Sequence, residues 1–422
     1  MALKRRSFIK SALIAGSIAA MPQLVMANQS KARQRVVVVG GGFAGATAAK
    51  YIKMWSTNID VILVERNAQF VSCPQSNLVL GGNRTLQQLT YDYNQLSSKY
   101  GVETVEAEVV AIDADTKKVT LHDGVVIDYD RLVIAPGVDF IYDQLPMLAT
   151  EQAQLKVPHA WKAGAQTVNL YQQIMTMKQG GRVVMTVPAT PFRCPPGPYE
   201  RACQIAYYLK HHNPTAKVLI LDANGDVASK KALFKSSWQQ YYSSLIEYLP
   251  SSIIENVNLK TLQLESEFDT FNADVLNVIP PQKAGKVAEL AGVINIDQRW
   301  CEVDFLTYES KVTDAIHVIG DAIHANLPKS GHLANAQAKV CAAAIVALLN
   351  DQQPEQEPLL NNTCYSFIDN NKAGHVAAVY RYNKEHATML AVPGGGISAQ
   401  ASELEGVYAN AWAKNIWSDV LN

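Results

Sequence analysis

The sequence predicts an α/β protein with two Rossmann-like, three-layer nucleotide-binding domains and a smaller α+β domain at the C-terminus. Three observations predict this fold class. An apolar strand runs into a glycine-rich turn near the start of the chain, a second strand–helix–strand unit lies in the middle, and a strand ending in Gly320 and Asp321 lies far downstream. With 422 residues, the chain is also longer than a usual single domain.

The domain order follows from these elements. The first nucleotide-binding domain is expected in two segments, residues 33–146 and 292–350, around a second such domain at residues 147–291. The polar linker DQQPEQEP (351–358) is expected to separate them from a C-terminal domain at residues 359–422.

The first 27 residues predict an export signal that is removed from the mature protein. Arg5 and Arg6, followed by Ser-Phe-Ile-Lys, match the twin-arginine type of signal. The apolar stretch after them is shorter than the ~20 residues that a membrane span needs. We therefore expect a periplasmic protein without stable membrane insertion. Because this route carries folded proteins, a cofactor bound before export is also expected.

Charge and cysteine content narrow the function classes. Removal of residues 1–27 takes away four basic residues and no acid, which leaves 33 basic against 38 acidic residues. This acidic balance argues against nucleic acid or an anionic membrane as partner. The sequence has six cysteines and no Cys-x-x-Cys pair, so it predicts no metal site of that type and no c-type haem of its own.

The glycine-rich turn predicts a dinucleotide site. In RVVVVGGGFAGATAAK (35–50), Gly40 permits the tight turn, Gly42 lets the backbone approach a pyrophosphate, and Gly45 allows close helix–strand packing. The second strand, VILVER, ends at Glu65, twenty residues after Gly45, where a carboxylate can bind an adenosine ribose. A strand before the turn, a helix after it and an acid at this distance make the motif specific.

The flavin form of the cofactor is predicted by the downstream motif. Short strands in VEAEVVAID, KKVTLHD and VVIDYDRLVIAPG predict a meander with a turn at Asp123 and Gly124, and Val110 is a candidate cofactor contact. The glycine-rich turn combined with DAIHVIGDA (314–322) resembles the FAD-binding signature of flavoproteins with two dinucleotide folds. That resemblance implies that Asp321 binds the ribityl chain and that a helix within residues 328–349 points at the flavin.

The second strand–helix–strand unit lacks a glycine turn. It comprises RVVMTV (182–187), a helix starting near Tyr199, and KVLILD (217–222), but the turn reads PATPFRCPPGPYERA. Its five prolines remove backbone donors that would cradle a pyrophosphate, so a nicotinamide cofactor is not expected. Cys194 precedes a helix start, where a thiolate is favoured. Glu200 in the first turn has two open interpretations, proton transfer at Cys194 or complementation of the helix dipole.

Taken together, SCPQSN, FRCPPGPYERA, PKSGH and NTCYSF resemble the flavoprotein subunits of flavocytochrome c sulfide dehydrogenases, over essentially the whole mature chain. These are flavoproteins of the glutathione-reductase type, related to sulfide:quinone oxidoreductases. The resemblance implies FAD attached covalently through Cys73 and a redox-active disulfide between Cys194 and Cys364. A purely structural disulfide is the alternative for this pair. Cys203 and Cys341 are expected to be small core residues.

The implied function is oxidation of hydrogen sulfide to sulfane sulfur or polysulfide through the cysteine pair and FAD. The implied partner is a c-type cytochrome subunit, expected as a heterodimer, that receives the electrons. Lys329 or Glu200 is expected to favour anionic sulfur, or else to be a charge at a helix terminus. The alternatives are a sulfide:quinone oxidoreductase and a noncatalytic FAD electron-transfer protein.

The C-terminal segment helps to separate these alternatives. A PGGG turn at 393–396 is expected before a final helix, on which Leu404, Val407, Tyr408, Trp412 and Ile416 form an apolar stripe. The helix carries three acids and a single lysine, Lys414, which suits an anionic membrane surface poorly. Packing of the stripe against the protein or a cytochrome is therefore favoured over a quinone-side membrane contact.

Overall fold

The computed structural model describes residues 33–422, so the predicted export signal lies outside the described residues. The strands are β1 (Gln34–Val39), β2 (Ile59–Glu65), β3 (Phe70–Val71), β4 (Thr90–Tyr91), β5 (Glu103–Glu106), β6 (Val109–Asp113), β7 (Lys118–Leu121), β8 (Val126–Asp128), β9 (Arg131–Ile134), β10 (Val138–Phe140), β11 (Arg182–Val187), β12 (Lys217–Asp222), β13 (Ile246–Leu249), β14 (Ile254–Asn258), β15 (Gln263–Ser266), β16 (Thr270–Asn272), β17 (Val275–Asn277), β18 (Gln282–Ala284), β19 (Ile316–Val318), β20 (Leu359–Phe367), β21 (Ala373–Asn383) and β22 (Thr388–Ile397). The α-helices are α1 (Phe43–Trp55), α2 (Asn77–Leu80), α3 (Asn94–Tyr100), α4 (Glu151–Lys156), α5 (Ala165–Thr176), α6 (Gly197–His212), α7 (Lys231–Tyr241), α8 (Lys286–Leu290), α9 (Gly331–Leu349) and α10 (Glu403–Leu421).

The first sheet contains the glycine-rich motif. Its five strands are parallel and lie in the order β19-β9-β1-β2-β5. Val36, Val37 and Val38 of β1 are inaccessible to solvent, as expected for a parallel strand that is covered on both faces. Because the carboxyl ends of β1, β2 and β19 lie at one edge, the glycine turn, Glu65 and Asp321 are brought to the same side of the sheet.

Helix α9 is long and apolar enough to meet a length and composition criterion for a membrane span, and no other helix within residues 33–422 meets it. In the structure α9 packs against α1 and β20. Leu333, Cys341 and Ile345 on this helix are buried. Its apolar composition is therefore that of a core helix.

The meander after β5 is divided differently from the prediction. The run VEAEVVAID forms two strands, of which β5 joins the parallel sheet and β6 starts the antiparallel sheet β6-β7-β8. The run VVIDYDRLVIAPG is also split, because β9 returns to the parallel sheet beside β1. Alternation of apolar residues continues through both breaks, so the pattern alone conceals them. The predicted turn is present, with Gly124 at a φ of 87°.

The second sheet has four parallel strands in the order β13-β12-β11-β17. Strands β11 and β12 match the predicted strands 182–187 and 217–222. Helix α6 connects them and buries Tyr199, Cys203 and Leu209. The expectation of a small core cysteine holds for Cys203, whose sulfur accepts a hydrogen bond from Trp238 Nε1 at 3.3 Å, and for Cys341, which is also fully buried.

The C-terminal region is an antiparallel sheet, β20-β21-β22, followed by α10. The predicted turn at 393–396 is wrong, because this segment lies inside β22. Its pairing with β21 is irregular there. Gly394 has a φ of 108°, and a Cβ on Gly395 would lie 2.6 Å from the carbonyl oxygen of Ala377. The glycines therefore serve a bulged strand that passes close to its neighbour.

The predicted fold class is confirmed by these layers: two parallel Rossmann-like sheets and a smaller antiparallel sheet with a helix. Residues 34–422 form one compact unit. The domain ranges 33–146 with 292–350, 147–291 and 359–422 stay predictions.

Candidate active site

A single long cavity connects all three regions of the fold. Its volume is about 620 Å³, within the range of cofactor sites. Its wall includes Gly40, Gly42 and Glu65, and also Cys194 and Cys364. The cavity therefore joins the predicted dinucleotide motif to the predicted redox cysteines.

The glycine turn opens onto this cavity. Gly40 has a φ of 100°, which side chains rarely adopt, and a Cβ on it would lie 2.5 Å from the carbonyl oxygen of Ala135. A Cβ on Gly42 would meet no atom within 4 Å, so this position faces open space. Gly45 is not in the cavity wall; a Cβ there would clash with the carbonyl oxygen of Gly40, which fits a role in helix–strand packing.

Glu65 lies beside the turn at the end of β2. Its Oε2 accepts a hydrogen bond from the backbone N–H of Gly41 at 2.6 Å, and its Oε1 accepts bonds from the backbone and side chain of Asn67. The carboxylate is thus held in a fixed position at the cavity wall. An acid in this position is suited to bind ribose hydroxyls.

Asp321 and the start of α9 form the middle of the wall. Asp321 follows β19 in a short 3-10 turn, Gly320–Ala322, and burial raises the pKa of its carboxyl against the positive charges of Arg193 and Lys329. Ser330 caps α9 by accepting a bond from the N–H of Leu333 at 3.1 Å. Gly331, the first residue of this 19-residue helix, lines the cavity.

Cys73 also lines the cavity, in the turn that precedes α2. Its thiol accepts a hydrogen bond from the guanidinium of Arg193, which also faces Asp321 and Cys194. The Nε of Arg193 is buried and has no hydrogen-bond partner. A buried donor at a cavity wall without a partner indicates a polar ligand in the space that it faces.

Cys194 and Cys364 come together although they are 170 positions apart in the sequence. Cys194 has a φ of 56°, and its backbone N–H donates to the carbonyl oxygen of Lys329 at 2.7 Å. Cys364 lies on β20, opposite Val376 of β21. The thiols of Cys194 and Cys364 interact with each other, so the two sulfurs are neighbours at the cavity wall.

The two thiols differ in acidity. The hydrogen bond from Cys194 and the positive charge of Lys230 lower the pKa of Cys364 to about 7, against the effects of burial and of Glu200. The pKa of Cys194 is raised by its bond to Cys364, by burial and by the charge of Glu200. A thiolate is the reactive form of cysteine, and these interactions favour it on Cys364 over Cys194.

Glu200 is buried beside the pair in the first turn of α6. Its Oε1 accepts from the backbone N–H of Phe367 at 2.8 Å and its Oε2 from Asn77 Nδ2 at 2.9 Å. Burial raises the pKa of this carboxyl. The bonds to Phe367 and Asn77 fix the position of this carboxylate, and both interpretations of its role remain predictions.

Arg201 holds Asn77, the residue that hydrogen-bonds to Glu200, in place. Its guanidinium donates to Asn77 Oδ1 at 3.1 Å, to Asn277 Oδ1 at 2.9 Å and to the carbonyl oxygens of His159 and Ala160. It is buried, 4.8 Å from the ring centroid of Trp161. The side chain of Asn77 therefore bridges Arg201 and Glu200, and fixes the acid relative to the second sheet.

Two predicted residues lie elsewhere. Val110 does not line the cavity and its residue surface is 44% exposed, whereas Val109 lines it; successive side chains of a strand point to opposite faces, so the expected contact moves by one residue. The ammonium of Lys329 donates to the carbonyl oxygens of Asp321 and Ile323 and lies 3.8 Å from the ring centroid of Trp300. It is therefore a buried loop contact, with its pKa lowered by burial to about 8.

Sequence reasoning missed Arg193, Asn77, Arg201 and Lys230. Arg193 was visible as the neighbour of Cys194 in the FRC triplet. Asn77 ends the quoted SCPQSN stretch, but its partners lie more than 120 residues away. Lys230 carries no local signal, because its contact with Cys364 spans 134 residues.

The residues of the cavity fit FAD. The open position at Gly42 and the N-terminus of α1 suit a pyrophosphate. The fixed carboxylate of Glu65, the buried carboxyl of Asp321 and the unpartnered Nε of Arg193 supply polar contacts along the remaining length. Among residues 33–422, no group of three or more His, Cys, Asp or Glu is placed to hold a metal ion.

Three models of known protein families match parts of the chain. Residues 34–162 match the family model of pyridine nucleotide-disulphide oxidoreductases. Residues 167–280 match the central region of the flavoprotein chain of sulfide dehydrogenase [flavocytochrome c], and residues 356–421 match the flavin-binding region of flavocytochrome c sulphide dehydrogenase. A sulfide dehydrogenase flavoprotein chain from Chlorobaculum thiosulfatiphilum is 56% identical over 46 residues, which cover 11% of this chain and 96% of that sequence. The chain belongs to the family of flavocytochrome c sulfide dehydrogenase flavoproteins.

Other relatives, with lower sequence identity, are named for quinone as the electron acceptor. The mitochondrial sulfide:quinone oxidoreductase of Dictyostelium discoideum is 24% identical over 310 residues, covering 70% of this chain and 66% of that protein. The solved structure of the sulfide:quinone oxidoreductase from Aquifex aeolicus superposes with a TM-score of 0.75 at 17% identity, covering 92% of each chain, which shows a shared fold. The chain is thus an FAD-binding oxidoreductase of the sulfide-oxidising flavoprotein type.

Proposed function

We propose that this chain oxidises hydrogen sulfide to sulfane sulfur or polysulfide in the periplasm, and passes the electrons through FAD to a c-type cytochrome subunit. The observation that carries the proposal is the contact between the thiols of Cys194 and Cys364 at the wall of the cavity that Cys73 and Asp321 also line. Two sulfurs in contact can form a disulfide with little movement.

The disulfide is the form that reacts with sulfide. Hydrosulfide attacks one sulfur of the pair, the Cys194–Cys364 bond breaks, and the other cysteine leaves as a thiolate. The attacked cysteine then carries a persulfide, whose outer sulfur is the product sulfur. Glu200 is buried next to this exchange with a raised pKa, and it is placed to hold a proton at Cys194.

The chain's own residues provide the flavin site. Gly40, Gly42 and the N-terminus of α1 would hold the pyrophosphate, Glu65 the adenosine ribose and Asp321 the ribityl chain. Bound FAD supplies acceptance of two electrons and their release one at a time. We propose that Cys73 is joined through sulfur to the 8α-methyl of the flavin, because its thiol lies in the cavity wall under the guanidinium of Arg193.

An exposed apolar face supports a protein partner. Leu404, Val407 and Tyr408 lie at positions i, i+3 and i+4 of α10, and are 58, 62 and 50% exposed. Ile416 and Trp417, further along the same helix, are buried against the protein. The predicted stripe therefore packs inward at its C-terminal half and leaves its N-terminal half for a docked cytochrome.

The test of the flavin tether is mass spectrometry. The purified mature protein is precipitated with trichloroacetic acid, and the peptide containing Cys73 is analysed with Cys73→Ala as control. A flavin adduct on this peptide supports the tether. Release of all flavin into the supernatant of the wild-type protein overturns it.

The test of the reaction uses anaerobic sulfide and two acceptors. Sulfide should reduce the bound flavin, and reoxidation should be faster with a soluble c-type cytochrome than with a water-soluble quinone. Faster reoxidation by quinone would assign the chain to the sulfide:quinone alternative. A flavin that sulfide leaves oxidised would instead favour the noncatalytic electron-transfer alternative.

A further inference from the structure

Lys230 is a buried lysine in the second Rossmann-like unit, and its side chain reaches the C-terminal antiparallel sheet. It lies between β12 and α7, is 4% exposed and has a φ of 56°, in the left-handed region. Its ammonium donates to the carbonyl oxygen of Cys364 at 2.6 Å, to Ser366 Oγ at 2.9 Å and to the carbonyl oxygen of Gly374 at 3.2 Å. All three N–H donors therefore point at β20 and the start of β21.

A buried ammonium that is bonded only to neutral oxygens is costly unless an anion lies near it. The ionisable groups that face Lys230 are Cys364, Glu200, Cys194 and Glu405. Glu405 already accepts bonds from His375 and Ser398, and Glu200 accepts bonds from Phe367 and Asn77. The group that gains most from the lysine's charge is the thiol pair.

The charge acts unequally on the two sulfurs. The groups that face Cys364 are Cys194, Lys230 and Glu200, and those that face Cys194 are Cys364, Glu200 and Arg193. Lys230 is hydrogen-bonded to the backbone of Cys364, so its position relative to this residue is fixed. Both thiols thus face the acid Glu200, while the opposing positive charge comes from Lys230 at Cys364 and from Arg193 at Cys194.

We infer that Lys230 fixes the polarity of the cysteine pair, so that Cys364 is the thiolate of the reduced pair and the departing sulfur when the disulfide is opened. Hydrosulfide then forms its S–S bond with Cys194 and retains its proton on the outer sulfur of the persulfide. The Cys194–Cys364 bond breaks, Cys364 takes its electron pair, and the disulfide is reduced as the sulfide sulfur is oxidised. A more acidic thiol is the better leaving group.

The departure of Cys364 rests on the proposed sulfide reaction, whereas the order of thiol acidity does not. The test therefore uses the reduced flavoprotein without sulfide. Short anaerobic pulses of iodoacetamide between pH 5 and 9, followed by peptide mass spectrometry, give separate rates for Cys194 and Cys364. We expect Cys364 to react at least about tenfold faster than Cys194 at pH 7, with a midpoint near that pH.

Lys230→Met removes the charge and keeps the length of the side chain. The preference for Cys364 at pH 7 should fall about tenfold, as a pKa rise of one unit implies, and its midpoint should move to higher pH. Lys230→Gln, which keeps two N–H donors, should behave in the same way, whereas Lys230→Arg should retain most of the preference.

Two further variants separate charge from scaffolding. Ser366→Ala removes one hydrogen bond of Lys230 but not its charge, so the preference should persist. Lys50→Met is the matched control for a buried lysine, because Lys50 is also 4% exposed and donates to the carbonyl oxygens of Ser418, Asp419 and Asn422.

The inference is overturned if Lys230→Met or Lys230→Gln folds with bound flavin and keeps the wild-type preference, or if Lys50→Met loses it equally. Should neither neutral variant fold, the wild-type rates decide. Faster labelling of Cys194 than of Cys364 at pH 7 then overturns the inference, and the reverse order supports it. Failure of sulfide to reduce the flavin would affect only the proposed function, since labelling does not require turnover.

Discussion

The turn after β1 and the turn after β11 occupy the same place in two parallel sheets, yet they bring different groups to one cavity. The first turn is built from glycines and leaves open space at Gly42. The second is rich in proline and places Arg193 and Cys194 in the cavity wall. The same scaffold thus offers backbone to a phosphate in one copy and a thiol to the substrate in the other.

The acids that end the second strand of each unit also differ, because one lies at the cavity and the other is buried in the protein. Glu65 lies in the cavity wall beside the backbone N–H of Gly41. Asp222 is fully buried, and its oxygens accept bonds from Tyr199, Tyr248 and Asn224. Asp222 is not part of the cavity wall, whereas Glu65 is, so the second acid serves internal hydrogen bonding instead of a ribose.

The sharpest test of this comparison is Cys194→Ser. If the second turn exists to present a thiol, reduction of the flavin by sulfide should slow by at least about a thousandfold, because the exchange loses one of its two sulfurs. Flavin content should be unchanged. Stopped-flow absorbance under anaerobic conditions measures the rate, and Cys203→Ala on the helix that follows the turn, α6, is the control. An unaltered rate in Cys194→Ser would remove the second turn from the chemistry.

Gly42→Val tests the first turn. Gly42 has a φ of −71° and would meet nothing within 4 Å with a Cβ, so valine is accommodated by the fold but occupies the space intended for the pyrophosphate. We expect the flavin-to-protein ratio to fall to about a tenth or less. The control is Gly225→Val in the second unit, which also faces open space. Equal flavin content in both variants contradicts the assignment of the first turn.

The first turn is also the part of the site that the sequence predicts best. Gly40, Gly42, Gly45 and Glu65 form a local pattern in which each spacing has a single physical use. The proximity of Cys194 and Cys364 has no such local pattern. It followed from resemblance to a family, because contact between the turn before α6 and a strand of the third region depends on how whole domains pack.

The remaining errors have identifiable causes. The cavity is lined by Val109 and not by the predicted Val110, and the sequence alone does not show which face of a strand meets the cavity. The PGGG segment is typical of a turn, and the sequence alone does not reveal that β21 pairs with it. Lys230 was missed because the local sequence does not show whether a lysine is buried or exposed. Only its contacts across 134 residues distinguish it.

Asp222→Ala tests whether the second acid is structural. The substitution leaves the hydroxyls of Tyr199 and Tyr248 without their acceptor in a buried site, so we expect a loss of about 2–4 kcal/mol in the free energy of unfolding. Urea denaturation measures this loss. Asp226→Ala, which removes an exposed acid beside Lys231 and Lys235, should change stability little. A loss of flavin in Asp222→Ala without destabilisation would instead assign Asp222 to the cofactor site.

His159 tests the positive charge that surrounds the second turn. Its ring packs 4.0 Å from the centroid of Phe140, and its Nδ1 accepts a bond from the N–H of Trp161 at 2.9 Å. Burial, together with the charges of Lys162, Arg201 and Arg193, lowers its pKa to about 3. The histidine is therefore neutral in the folded protein at pH values where the unfolded chain, with a pKa near 6.5, is protonated.

Because the folded pKa lies below the unfolded one, the contribution of His159 is complete above about pH 6.5 and is lost as the pH falls towards 3. At pH 5 the loss should reach about 2 kcal/mol. His159→Asn keeps an acceptor for Trp161 and does not titrate in this range. Urea denaturation between pH 7 and 4.5 measures the free energy of unfolding of both proteins. The value for the wild type minus that for the variant should decrease as the pH is lowered. A constant difference would mean that His159 is protonated in the folded state, and that the cations around Cys194 are more screened by solvent than their burial implies.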